Sequence, residues 1–114
     1  MHEMSVAQNI LEIVREHISD GEENKVRAIK LKIGELSGIV PDALEFCFST
    51  MIDRTEFEQA SLHIVHVPIA AVCNVCKQQS KLEYGVFICP SCYSNDIELL
   101  TGKEMQVVSI EVED

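Results

Sequence analysis

The chain has 114 residues, 19 acidic and 9 basic, for a net charge of −10. That is about one domain's worth of chain, and it holds no apolar run of about 18 residues that could span a membrane. The acidic balance also argues against nucleic acid as a partner, because phosphate binding requires a basic footprint.

The chain opens on Met1-His2-Glu3, without the basic start and apolar core of a secretory leader. A cytoplasmic protein is therefore expected, in which five cysteines serve as thiols or metal ligands rather than disulfides. A histidine in second position gathers three nitrogens: the terminal amine, the His2 backbone amide and its imidazole. With the amide deprotonated the array is nearly planar, a geometry that Ni²⁺ and Cu²⁺ accept. A fourth donor is available from Glu3 or a neighbouring side chain. Taken alone the pattern is short, and a histidine at position 2 also arises by chance.

A helix is expected from Ser5, with Gln8 completing a capping box. Ala7, Ile10, Leu11, Ile13, Val14 and Ile18 form its apolar stripe, and the Asp20-Gly21 cluster ends it. His17 reads as a partly buried edge residue on this helix. Residues 25–33 alternate Ile29, Leu31 and Ile33 with Lys30 and Lys32, which is a strand buried on one face. After the turn Gly34-Glu35-Leu36-Ser37-Gly38, Pro41 suits the first position of a second helix. Leu44, Cys47, Phe48, Met51 and Ile52 form the apolar face of that helix, so Cys47 reads as a small buried hydrophobe. A second strand covers 62–67, and side-chain alternation sends His63 and His66 to opposite faces of it.

Cys73-Asn74-Val75-Cys76 and Cys89-Pro90-Ser91-Cys92 then give the spacing C-x2-C-x12-C-x2-C, close to a zinc ribbon. Two short strands are expected around Gly85 between the knuckles. Four thiolates suit tetrahedral zinc; rubredoxin-like iron, paired disulfides or a redox pair are the other fillings. A closed tetrathiolate leaves no open position, so a zinc there is structural. Residues 68–101 carry only Lys77 and Lys81 against Glu83, Asp96 and Glu98, which weighs against a nucleic-acid ribbon. Residues 105–112 form a final strand. The expected fold is α+β: a small three-stranded sheet with two helices on one face, plus an inserted zinc-ribbon module. Residues 1–68 completed by 102–114 make one domain, and 69–101 make the module. No Ser–His–Asp arrangement or convincing carboxylate pair points to catalysis.

The combination of Met1-His2-Glu3, the Gly34-Glu35-Leu36-Ser37 turn, the two cysteine knuckles and Ser109-Ile110-Glu111-Val112 resembles the HypA/HybF family, nickel metallochaperones of hydrogenase maturation. The resemblance spans the whole chain. It implies nickel held by His2 through imidazole and backbone nitrogen, with the Met1 amine and Glu3 contributing, and zinc held by Cys73, Cys76, Cys89 and Cys92. It further implies delivery of Ni²⁺ to the large subunit of [NiFe]-hydrogenase, with a nickel-handling GTPase as partner and urease maturation proteins served in some members. Some members carry a histidine close to the knuckles, and this chain has none there. The function implied is transfer rather than catalysis, and a homodimer is compatible with it. The rival reading is a zinc-ribbon interaction adaptor for which His2 is irrelevant.

Overall fold

Lysines set alternately among isoleucines and leucines make the central strand of the molecule. In the computed structural model, which describes residues 3–114, strand β1 (Val26–Gly34) buries Ile29, Leu31 and Ile33 and exposes Lys30 and Lys32. A strand with one apolar side needs a cover on that side only. Helices α1 (Glu3–His17) and α2 (Pro41–Ile52) supply it. The core joins Val6, Ala7, Ile10 and Val14 of α1, the three β1 residues, and Leu44, Phe48 and Ile52 of α2. Cys47 and Met51 pack at its margin. Strands β2 (Ser61–Val67) and β6 (Met105–Val112) flank β1 in the order β2-β1-β6. The β1–β2 pair is parallel and the β1–β6 pair antiparallel. Parallel neighbours require a crossover, and α2 is that crossover.

Between β2 and β6 the chain builds a second three-stranded sheet, β3 (Ala70–Cys73), β4 (Gln79–Lys81) and β5 (Ile97–Thr101), in the order β4-β3-β5. The α+β architecture, with helices on one face and an inserted cysteine-bearing module, is thus as expected.

Two local expectations are corrected. Ser5 lies inside α1, which already includes Glu3, so the proposed Ser5–Gln8 capping box is not the start of the helix. An acidic residue in the first turn, Glu3, complements the helix dipole there. Of the two strands expected around Gly85 only the first is met in part, by β4 at Gln79–Lys81; residues 83–88 are irregular and Gly85 takes φ +83°. Only Leu82 of this stretch reaches a core, while Tyr84, Val86, Phe87 and Ile88 stay exposed. A hairpin with no face to bury has nothing to hold its register. The ladder is made instead on β3: β4, between the knuckles, pairs with it through Ala71↔Ser80, and β5, beyond the second knuckle, through Val72↔Glu98.

The two sheets meet where residues 34–36 are gripped by both connecting segments. Gly34 N–H donates to Glu104 O at 2.8 Å, Glu35 N–H to Val67 O at 3.0 Å, and Leu36 N–H to Gly102 O at 2.6 Å. Leu36 then packs on Ile69, Ala71 and Leu82, the small core of the second sheet. A side chain on Gly34 would collide with the Gly102 carbonyl and sit 2.7 Å from Glu104 Oε1. Close backbone approach, not a turn requiring positive φ, is why residue 34 is glycine.

Candidate metal centre

Two short turns with one backbone design create the site. The carbonyl of Cys73 accepts from Lys77 N–H and that of Cys89 from Tyr93 N–H, at 2.9 and 2.8 Å. Cys73 N–H donates to Gln78 O and Cys89 N–H to Ser94 O, at 2.9 and 2.8 Å. Each turn closes through a left-handed residue, Lys77 at φ +68° and Tyr93 at φ +62°. Nothing in the residue type announces these positions, since neither is glycine or asparagine.

The knuckles are then tied together. Ser91 Oγ donates to Gln78 Oε1 at 3.1 Å, and Asn74 Nδ2 donates to Asp96 Oδ1 at 3.0 Å. All four sulfurs lie within 4.8 Å of one another, with Cys73 Sγ–Cys92 Sγ at 3.5 Å and Cys76 Sγ–Cys89 Sγ at 3.6 Å. A tetrahedron with metal–sulfur bonds of about 2.3 Å has edges of about 3.8 Å. The observed spacing fits that figure, and none of the five cysteines is in a disulfide.

The surroundings divide the four thiols. Cys73 Sγ accepts the N–H groups of Val75 (3.3 Å) and Cys76 (3.4 Å). The Cys76 N–H is the main reason that the Cys73 pKa is lowered, against the opposing effect of burial. Cys89 is lowered to about 6, chiefly by the Cys92 backbone N–H, with Ser91 N–H adding to it. The backbone at Ser94 pulls the Cys92 pKa down, yet Cys73, burial and the other thiols outweigh it and push Cys92 up to about 12. The backbone at Gln78 pulls the Cys76 pKa down, yet burial and the Cys89 and Cys73 thiols push it up on balance, so two of the four negative charges are opposed by their neighbours. A dication among the sulfurs reverses that opposition, since metal binding and thiol deprotonation are linked.

The other candidate residues do not join a cluster. Among the described residues the four cysteines are the only group of three or more histidine, cysteine or carboxylate side chains placed to share an ion. His63 Nε2 lies 3.2 Å from Ser61 Oγ on β2, and His66 is exposed farther along the same strand. His17 is exposed rather than partly buried, and its Nδ1 donates to Ile13 O at 2.7 Å. Met1 and His2 lie outside the described residues. Glu3 begins α1, and its Oε2 accepts from Val40 N–H, at the entry to α2, at 3.5 Å. The start of α1 therefore lies against the start of α2, a juxtaposition that no local sequence signal announced.

Comparison with known proteins gives a consistent picture. The family described as "Hydrogenase/urease nickel incorporation, metallochaperone, hypA" matches residues 1–112. The hydrogenase maturation factor HypA of Trichormus variabilis is 41% identical over 114 residues, covering all of this chain and 97% of the relative. That of Desulfatibacillum aliphaticivorans is 39% identical over 115 residues, covering all of this chain and 88% of the relative. The solution structure of the Ni metallochaperone HypA from Helicobacter pylori superposes with a TM-score of 0.66 at 25% identity, over 99% of this chain and 98% of that one. A whole-length family match, relatives of full length and a shared fold all coincide with the four-cysteine centre: the chain belongs to the HypA family of hydrogenase/urease nickel-incorporation metallochaperones.

Proposed function

We propose that this chain binds Ni²⁺ at its amino terminus and delivers it during maturation of [NiFe]-hydrogenase. His2 supplies imidazole and backbone nitrogen, and the Met1 amine and Glu3 complete the set. Family membership over residues 1–112 carries this reading. It is supported by Glu3, whose contact with Val40 N–H ties the first described turn of α1 to a packed element. That contact places Glu3, one of the proposed ligands, beside the start of α2. The cargo is handed on rather than transformed: an exposed site of nitrogen and oxygen donors suits exchange. The receiving partners are a nickel-handling GTPase and the hydrogenase large subunit, with urease maturation proteins as further recipients, all in the cytoplasm.

Cys73, Cys76, Cys89 and Cys92 hold Zn²⁺ in this reading. The sulfur spacing and the all-thiolate donor set support it. The ion supplies no reaction chemistry there; it fixes residues 69–101 as a unit beside the nickel-binding body formed by 1–68 and 102–114.

The test is a Ni²⁺ titration of zinc-loaded protein with its native terminus, beside His2→Ala and an amino-terminally tagged form. One nickel per chain that vanishes in both controls is expected. Equal binding in all three would place nickel elsewhere, and no binding in any would favour a zinc-ribbon adaptor.

Affinity should also depend on pH. Protons compete for an amine with reference pKa about 7.7–8.0 and an imidazole with reference pKa about 6.5. Both groups bind metal only when deprotonated, so nickel affinity falls as pH is lowered from about 7.5 to about 6. From these two groups alone the loss is about a hundredfold, and release of the amide proton adds to it. Calorimetric titrations across that range check this, and a flat profile would exclude the amine–amide–imidazole site.

A further inference from the structure

The four sulfurs of the metal centre are not equally enclosed. Cys73 and Cys89, the first cysteine of each knuckle, are buried; Cys76 is half-buried and Cys92 is exposed. Their places in the fold explain the order. Cys73 ends β3, the middle strand of the second sheet. With Cys89 it lines a closed cleft shared with Ala71, Leu82 and Ile97. Cys92 instead lies on the outer turn, between the exposed Ser91 and Tyr93. Coordination deprotonates a thiol outright, so in a loaded centre exposure decides which sulfur an oxidant meets first. The partner that follows is also in place. Cys73 Sγ lies 3.5 Å from Cys92 Sγ, and the N–H groups of Val75 and Cys76 point at it and favour its thiolate form. An open sulfur with a second thiolate in contact is the arrangement of a redox-sensing pair.

We propose that Cys92 is the oxidation site of the centre and Cys73 its resolving thiolate, with hydrogen peroxide as the oxidant; this rests on the reading that zinc fills the centre. The Cys92 thiolate attacks one peroxide oxygen. An S–O bond forms, the O–O bond breaks, and hydroxide leaves. The Cys73 thiolate then attacks the Cys92 sulfur, so that an S–S bond forms, the S–O bond breaks and a second hydroxide leaves. The two thiolates lose two electrons and the peroxide gains them. Cys76 and Cys89 alone do not complete a tetrahedron, so the ion is released. Only the small cluster of Ile69, Ala71 and Leu82 then remains to order the module. Cys47 packs at the margin of the other core and takes no part. Oxidant thus disables the cysteine module and spares the sheet β2-β1-β6.

The test treats zinc-loaded protein, its zinc first counted per chain, with less than one equivalent of hydrogen peroxide. Dimedone traps sulfenic acid, and peptide mass mapping locates adducts and disulfides. The adduct on Cys92 is expected to exceed that on any other cysteine by at least about fivefold. Without dimedone the first disulfide should join Cys73 to Cys92, and a colorimetric chelator should read one zinc released for each disulfide formed. A chain that holds no zinc at the start would remove the zinc reading, and this inference with it. With zinc in place, three results would overturn the inference alone: a first adduct on Cys76 or Cys89, a first disulfide within either knuckle, or oxidation confined to Cys47.

Discussion

Serine in place of Cys89 is expected to melt the second sheet and leave the first one standing. Only Ile69, Ala71 and Leu82 form the buried cluster there, with Leu36, Ile97 and Leu99 packed on it in part. So small an apolar core has little with which to order a module carrying two knuckles, and in the proposed reading a metal takes its place. Structural zinc contributes about 10–16 kcal/mol of apparent binding free energy in small peptides. Losing a ligand sulfur removes most of that. The backbone bonds of residue 89 to Tyr93 and Ser94 remain open to serine, so the variant isolates the missing sulfur. The measurement is bound zinc per chain together with residue-resolved hydrogen exchange. Zinc should fall to none, and protection should vanish at Cys73, Cys89 and the β3–β5 ladder while β1, β2 and β6 keep theirs. A metal-free variant that still protected β3 would show that the metal is not what holds the module.

Alanine at Gly34 is expected to be the most damaging single methyl group in the chain. The Cβ would meet backbone, the Gly102 carbonyl, which cannot swing aside as a long side chain can. Relief requires the strand end to move, and three hydrogen bonds from residues 34–36 to Glu104, Val67 and Gly102 depend on its position. Overpacking of this kind destabilises by about 3 kcal/mol or more, which lowers Tm by more than about 10 °C in a chain of this size. Gly21→Ala makes the comparison sharp. Nothing lies within 4 Å of a Cβ there, so only the positive φ of +88° is penalised, at about 1–2 kcal/mol. Thermal unfolding of the two variants side by side decides it. Equal melting temperatures would mean that the two backbones do not approach each other as described.

The sequence was most readable where structure is local. Lys30 and Lys32 among apolar neighbours marked the central strand, and Leu44, Phe48 and Ile52 marked the buried face of α2, because each pattern states which side is wet. The knuckles could be read because two-residue spacings limit where four sulfurs can go. What escaped notice depends on distant partners. Strand β3 is four residues long, and its ladder mates lie at 79–81 and 97–101; no pattern within Ala70–Cys73 announces them. Phe57 is wholly buried although it sits in the loop after α2, and it is covered by the Arg15 guanidinium 4.8 Å from the ring centre, a contact of about 0.5–1 kcal/mol. Its burial is a property of the closed fold rather than of its neighbours in sequence. The hairpin expected at Gly85 failed for the converse reason. Propensity for extended structure was present, but no surface was available for Tyr84, Val86, Phe87 and Ile88 to cover.

The paired crossings between the two sheets also set what kind of motion the molecule allows. A module hung on a single thread of chain can spin about that thread. Here the outgoing segment at Pro68 and the returning one at Thr101 run side by side, joined by Thr101 Oγ1 donating to Pro68 O at 2.8 Å and by the Ala70↔Thr101 pairing. Two cords resist torque where one does not, so turning the cysteine end strains the bonds that residues 34–36 make to both segments. Flexing strains those bonds less, as a strap bends more readily across its flat than it twists. A protein that touches both ends of this chain therefore meets them at an azimuth that the paired crossing resists changing.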